Sequence, residues 1–312
     1  MADGKWIEGL RADMPITEAA HRVLKARLGV VRERLPHALF EADKDPEHVH
    51  QLRVGTRRAA AAVGIFAGCL PAKRYGKIRK RLRKIRRAAG EARDWDVFLE
   101  TLAALAGKTT AAQNPGLDFL AGYGTSQRAA AQTHLIEINQ DKLKSFDELV
   151  DQTLTAVQEP SGGARNLVDL AGPLLGKFLR ELEQAAGRDL QPYEHLHQVR
   201  ILGKRLRYAM EIFASCFAAP FREVYYPAVE EMQEILGLAN DSFVARQRLE
   251  ASRDQVKAAR NAGWKRLQPG FQVLLRFHAR RLPEQRKRFQ KWWKEWQRSG
   301  AESAFADLLK NK

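Results

Sequence analysis

Residues 48–53 read His-Val-His-Gln-Leu-Arg, and residues 195–200, 147 positions later, read His-Leu-His-Gln-Val-Arg. The same offset continues without a gap and pairs Arg57-Arg58 with Lys204-Arg205, Cys69 with Cys216, and Asp94 with Asp241. A long self-similar stretch at a fixed period is the sequence signature of a duplicated structural unit. The chain is therefore expected to contain two copies of one module, each with the same basic segment.

Apolar residues recur at helical spacing along the chain, and the alternation typical of strands is almost absent. The expected fold class is all-α: two four-helix bundles from an internal duplication, side by side and related by a pseudo-twofold axis. The Pro and Gly residues of 159–163 predict a linker between domains at 1–158 and 164–312. Before the linker, a first helix, capped by Thr17, is expected over about 17–40. A second carries the His50 motif to about 70, and two more are expected over about 72–93 and 117–157. After it they are expected over about 174–186, 194–217 and 224–238, with more to the end.

The charge of the chain points to its class of partner. Lys and Arg number 53 against 37 Asp and Glu, a net charge of +16. This excess favours a polyanion: nucleic acid, an anionic membrane or a phosphate polymer. Cys69 and Cys216 fall on apolar helical stretches, which predicts buried free thiols in a reducing compartment. With no signal-peptide pattern and no apolar run near the ~20 residues of a membrane span, a cytoplasmic location is expected.

Each motif lies on a helix with one cationic face. Residues advance about 100° per position, so His50, Arg53 and Arg57 share a face that is opposite Leu52 and Phe66. In the second copy the cationic face carries His197, Arg200, Lys204 and Arg207. Each motif helix is therefore predicted to bury one stripe and to present a ladder of cations.

The histidines do not have metal-ligand spacing. His48 and His50 are two positions apart and point about 160° away from each other on a helix, so they cannot hold one ion together. No H-E-x-x-H pattern is present. We expect no metal and no cofactor. His48 and His195 are interpreted as structural, and His50 and His197 as ligand contacts whose charged form a bound phosphate would favour.

Residues 79–87, Arg-Lys-Arg-Leu-Arg-Lys-Ile-Arg-Arg, are the densest cationic run in the chain. Leu82 and Ile85 belong to the buried stripe, and every other face is basic. Like charges on one helix repel each other, so an anion that neutralised them would stabilise the fold. The second repeat instead carries Glu230, Glu231 and Glu234 in register, which predicts a lopsided anion site supplied mainly by the first repeat.

These residues resemble a known family. The pattern His48-x-His50-Gln51-x-Arg53-x-x-x-Arg57-Arg58, the stretch Arg93-Asp94-x-Asp96-Val97 and their echoes in the second half are similar to the CHAD proteins, the histidine α-helical domain family, over about residues 15–300. The resemblance implies two four-helix bundles that flank a basic cavity for inorganic polyphosphate. Some relatives also carry a CYTH triphosphatase domain. Its glutamate pattern is absent here, so the chain resembles a stand-alone member of the family. Polyphosphate granules are the location that this implies.

A phosphate polymer suits these residues because it has no base edges to read and needs only cations at steps along a groove. No catalytic residue is expected, since phosphoanhydride hydrolysis normally needs carboxylates that hold Mg²⁺, and the cationic faces carry none. The predicted binding residues are His50, Arg53, Arg57, Arg58, Lys80, Arg83, Lys84, Arg87, His197, Arg200, Lys204, Arg205 and Arg207.

Two alternative functions stay open from the sequence. A nucleic-acid-binding protein would interleave aromatic platforms with its cations, and Tyr208 is the one aromatic residue on the cationic faces. A histidine phosphoacceptor at His50 or His197 is the other alternative. The aromatic cluster Phe289, Trp292, Trp293 and Trp296 has the spacing of a helix that docks on the core rather than on a membrane.

Overall fold

The computed structural model describes residues 4–105, 107–160, 165–259 and 263–310. Its α-helices are α1 (Ile16–Phe40), α2 (Glu47–Ile65), α3 (Ala72–Leu105), α4 (Asn114–Glu137), α5 (Leu143–Thr155), α6 (Leu167–Ala186), α7 (Tyr193–Phe213), α8 (Tyr226–Ala258), α9 (Trp264–Arg298) and α10 (Ala301–Lys310). Within those residues, extended pairing is limited to an isolated bridge between Pro15 and Asn166. The predicted all-α class is confirmed.

The helices form two bundles. Helices α1 to α4 pack in sequence and α4 returns to α1, while the short α5 lies against α1 and α3. Helices α6 to α9 also pack in sequence, and α10 contacts both α6 and α9. The proposed boundaries at 158 and 164 stay a prediction, as does the pseudo-twofold axis, and residues 161–164 of the linker region lie outside the described residues.

The bundles meet mainly along two pairs of helices, α2 with α7 and α4 with α9, and α3 also contacts α8. Because α2 and α7 carry the two occurrences of the motif, the two basic segments lie against each other. At the second contact the backbones of α4 and α9 touch at Gly116 and Gly270. A Cβ atom on either glycine would overlap the backbone of the other helix, so this close approach requires glycine.

Several helix boundaries differ from the prediction. The helix predicted over 224–238 continues to Ala258 as α8, and the one predicted over 174–186 begins at Leu167 as α6. Helix α3 extends past Arg93 to Leu105 because Trp95, Phe98 and Leu102 continue its buried stripe. The predicted helix over 117–157 is broken, since the buried Asn139 amide donates to Leu135 O at 2.7 Å and a 3₁₀ turn follows. Thr17 does not cap α1, whose first N–H, on Ile16, donates to Arg165 O at 2.8 Å.

Several smaller predictions are confirmed. Cys69 and Cys216 are buried and free. In the aromatic cluster of α9, Phe289, Trp293 and Trp296 are buried in the core. Among the helices of the described residues, none combines the length and the apolar character needed to cross a membrane.

Candidate anion-binding cavity

A cavity of about 1330 Å³ lies where the two motif helices meet α3. Helices α2, α3 and α7 supply most of its walls, with His134 of α4, Lys142 of the turn before α5 and Arg248 of α8 as further members. Nine of the predicted residues line it. They are Arg53, Arg57, Arg83, Lys84, Arg87, His197, Arg200, Lys204 and Arg205.

The lining is strongly cationic. Of the described residues that line the cavity, twelve are arginine or lysine and two, Glu91 and Asp94, are carboxylates. Several members were not among the predicted residues: Arg79, Arg86, His134, Lys142 and Arg248. Arg79 and Arg86 could have been found from the sequence, because they lie one helical turn on either side of Arg83.

Crowding of these charges is visible in the acid–base properties of the cavity. Burial, together with the nearby Arg57, Arg200 and Arg53, lowers the pKa of Lys204 to about 5. Burial and Arg57 lower the pKa of Arg53 to about 10. Burial and the same Arg57 also lower the pKa of Arg200. The protein alone therefore holds more positive charge in this space than its own groups neutralise, and a bound anion would relieve it.

Asp94, one of the two carboxylates of the wall, positions two of its cations. Its carboxylate accepts a hydrogen bond from Arg53 Nη2 at 3.0 Å and lies 3.6 Å from Arg248 Nη2. The Arg248 guanidinium also stacks over the Trp95 ring, 4.4 Å from its centroid. Asp241, the repeat counterpart of Asp94, raises the pKa of Arg200 and so opposes the effect of burial. Asp94 thus holds Arg53 in place, and Asp241 favours the charged form of Arg200.

The two motif histidines differ in position. His197 lines the cavity, and its Nδ1 lies 3.3 Å from the hydroxyl of Tyr193, which donates to Asn240 Oδ1 at 3.1 Å. Burial and Arg200 lower the pKa of His197. His50 stands outside the lining, and burial lowers its pKa as well. Both imidazoles are therefore mostly neutral at pH 7 in the protein alone.

Three more predicted residues lie elsewhere. Arg58 is buried in an ion pair with Glu211 at 2.7 Å, because it points from α2 into the interface with α7. Arg207 reaches past the cavity to Glu230, 3.5 Å away. Lys80 lies outside the cavity, in a second groove that α3 forms with α5. The structure thus does not bring these three side chains into the cavity.

The remaining histidines of the motif have structural contacts. His48 stacks on His37 with 5.5 Å between ring centroids, and His195 Nδ1 lies 2.6 Å from Asp189 O. In the part of the chain that is described, no three His, Cys, Asp or Glu side chains stand close enough to hold a metal ion together.

The fold and the cavity define a class of protein: all-α proteins in which two helical bundles hold a basic cavity between them. The chain belongs to the CHAD domain family, whose profile matches residues 22–250. No protein with curated functional information matches the chain.

Two solved structures share the fold. One is the CHAD domain from the plant Ricinus communis, with 22% identity, 92% of this chain and 95% of that chain covered, and a TM-score of 0.70. The other is PptA from Streptomyces chartreusis, with 18% identity, 90% of this chain and 99% of that chain covered, and a TM-score of 0.67. At such identities the likeness concerns the fold alone.

Proposed function

We propose that the protein binds inorganic polyphosphate in the cavity between its bundles and does not alter it. The observation that carries this proposal is the imbalance of the lining, with twelve arginines and lysines against two carboxylates. A polymer with a charge on every unit can neutralise many of these cations at once and release its own counterions. Arginine forks suit the phosphate oxygens, and lysines add point charges.

Polyphosphate is favoured over nucleic acid because the described wall of the cavity offers little aromatic surface for stacking. Tyr208 is the one Tyr, Phe or Trp among the described residues of its wall. That ring is 7% exposed and has the Arg207 guanidinium 5.2 Å from its centroid, so little of it is left for a base. Single-strand binders rely on such platforms for much of their affinity.

A binding role is proposed rather than catalysis because of how the carboxylates are used. Cleavage of a phosphoanhydride normally needs carboxylates that position Mg²⁺. Asp94 is already engaged by Arg53 and Arg248, and Glu91 is an exposed side chain at the rim. A protein that only binds the polymer would accumulate where the polymer is stored, so we propose polyphosphate granules as its location.

The test is a titration of labelled polyphosphate in parallel with single-stranded and duplex DNA of equal total charge. The proposal expects tighter binding of polyphosphate, a steep loss of affinity with added salt, and no orthophosphate after long incubation with Mg²⁺ or Mn²⁺. Preferential binding of either DNA would contradict the choice of ligand. Orthophosphate release that disappears in Arg53→Ala would instead identify an enzyme.

A further inference from the structure

A second basic groove of about 330 Å³ lies between α3 and α5, on a side of α3 next to the one that lines the cavity. Helix α3 lines it with Arg74, Lys77, Lys80, Arg81 and Lys84, and α5 with Ser145, Glu148, Leu149 and Gln152. Glu148 is the one carboxylate among these described residues. The cations follow one another at about one helical turn, over roughly 15 Å of helix.

The other two acidic residues of α5 do not neutralise the groove. Asp147 and Asp151 face α1, where both pair with Arg32, at 3.1 and 2.6 Å. Arg81 is incompletely satisfied: its Nη1 donates to Ile138 O at 3.3 Å, while Nε and Nη2 are buried and find no hydrogen-bond partner in the described chain. A buried guanidinium with free donors favours an additional acceptor such as a phosphate oxygen.

The groove and the cavity adjoin each other at Lys84. Lys84 lines both of them. Ile138, whose carbonyl oxygen holds Arg81 in the groove, lines the cavity as well. Lys142 of the cavity and Ser145 of the groove are three residues apart, about 4.5 Å of helix rise. A flexible polyanion can therefore pass from one to the other beside Lys84 without losing contact with cations.

The second repeat provides a natural comparison. In register with Lys77, Arg81 and Lys84 it has Val224, Ala228 and Glu231, and these line a groove of about 560 Å³ against α9. Trp292 donates to Glu231 there at 3.2 Å. The same position in the duplicated module is thus cationic in one copy and apolar and acidic in the other. Among its described lining residues, the counterpart groove balances Arg288 and Lys291 with Glu231 and Glu295, so it lacks the cationic excess of the first groove.

We propose that the groove between α3 and α5 is a second polyphosphate-binding segment, which takes the part of a long chain that extends beyond the cavity over Lys84. The inference rests on the proposed function and adds a structural basis for preferring long polymers to short ones. Lys77 and Lys80 are exposed and, unlike Lys84, do not line the cavity, so they can be changed without touching the first site.

The experiment compares the binding of tripolyphosphate and long-chain polyphosphate by wild type and by Lys77→Ala/Lys80→Ala over a range of salt concentrations. Tripolyphosphate, which fits within the cavity, should bind both proteins equally. Long-chain polymer should bind the variant several-fold more weakly, with a salt slope smaller by about one for each lysine that contacts phosphate. Arg288→Ala/Lys291→Ala, which removes two cations from the counterpart groove, is the matched control and should leave long-chain binding unchanged.

Equal losses of long-chain binding in the two double variants would overturn the inference, since net charge alone would then explain them. An unchanged long-chain affinity in Lys77→Ala/Lys80→Ala would also overturn it. Single-stranded DNA of equal charge is the competing ligand. If it binds more tightly than the long polymer, and if the two lysine substitutions weaken DNA binding but not polymer binding, the groove is a nucleic-acid site instead. Failure of wild type to bind either polyphosphate would refute the proposed function, and this inference with it.

Discussion

The Arg58 guanidinium of the first repeat donates to the Glu211 carboxylate of the second through Nε, at 2.7 Å, and through Nη2, at 3.3 Å. Glu211 is 1% exposed and also accepts the hydroxyl of Tyr226 at 3.0 Å. The counterpart of Arg58 in the repeat, Arg205, instead pairs with Glu181 at the surface, at 2.7 Å. The two occurrences of the motif therefore differ in structure, and the first uses its second arginine to join the bundles.

Replacing Glu211 should destabilise the protein far more than replacing Glu181. Glu211→Gln leaves the charge of Arg58 buried without its counter-ion, which typically costs about 3–5 kcal/mol. Glu181→Gln removes an exposed pair and should cost less than about 1 kcal/mol. Chemical denaturation measures both free energies of unfolding. Similar small losses in the two variants would show that Glu211 does not hold the interface.

Removing Arg57 should move stability and affinity in opposite directions. Its charge lowers the pKa of Arg53, Arg200 and Lys204, so it adds to the repulsion within the cavity. Arg57→Met should raise the free energy of unfolding of the protein alone by about 0.5–2 kcal/mol, as binding-site substitutions often do, and weaken polyphosphate binding. Denaturation without ligand and titration with polymer check the two signs.

A surface arginine provides the control for this experiment. Arg22 lies outside the cavity, in an exposed pair with Glu18 at 3.6 Å. Arg22→Met should change stability by no more than about 0.5 kcal/mol and leave affinity unchanged. A loss of stability in Arg57→Met would contradict the view that the cavity is strained by its own charges.

The sequence could predict the cationic faces of α2 and α7 because the repeat and the helical period together define them. Arg53, Arg57, Arg200 and Lys204 accordingly all line one space. It could not predict the partner of Arg58, since Glu211 stands at the repeat position of Gly64 and the duplication conceals it.

Other parts of the cavity depend on tertiary packing. Lys142 and Arg248 enter the lining from a turn and from the middle of α8, segments whose distance from the motif helices is set by how the bundles dock. Similarly, the division of the cations of α3 between a cavity and a groove follows from α5 packing on one side of that helix. Helical periodicity alone marks both sides as polar.

Polyphosphate binding should take up a proton at Lys204. Burial and the neighbouring arginines hold the pKa of this amine at about 5, so it is neutral at pH 7 in the protein alone. A bound phosphate would raise that pKa, and affinity should fall as the pH rises from about 5 to the raised value. Calorimetry in buffers of different ionisation enthalpy should detect about one proton, which Lys204→Met abolishes. An unchanged uptake in Lys204→Met would assign the proton to another group, with His50→Gln/His197→Gln as the next variant.

The stability of the protein alone should depend on pH with the opposite sign. The pKa of Lys204 is depressed from 10.5 to about 5, so the unfolded chain binds more protons between these values. The contribution of Lys204 to the free energy of unfolding is therefore fully present above the unfolded pKa and is lost as the pH falls toward 5. Lys204→Met should flatten this part of the stability profile, as measured by denaturation at several pH values. An identical profile in wild type and variant would contradict the depressed pKa.

The two repeats should contribute unequally to binding. Helix α3 provides Arg79, Arg83, Lys84, Arg86 and Arg87 to the cavity, while α8 provides Arg248. Arg83→Ala/Arg87→Ala should therefore weaken polyphosphate binding much more than Arg246→Ala/Arg248→Ala, which removes the same charge from α8. Titration at several salt concentrations should give the larger fall in salt slope for the α3 variant, by about one per lost phosphate contact. Equal losses would indicate that both sides contribute alike.

The two motif helices should build one shared site. Arg200 lowers the pKa of Arg53, so the two repeated arginines lie within electrostatic reach of each other across one cavity. One polymer that touches both should give a single dominant binding event with short polyphosphate, weakened by Arg53→Ala and by Arg200→Ala. The double variant should lose an amount that differs from the sum of the single losses, by about 0.5–3 kcal/mol for residues that share a ligand. Calorimetry measures the number of events and the coupling. Two independent events, each abolished by only one of the two substitutions, would mean that each repeat has a site of its own.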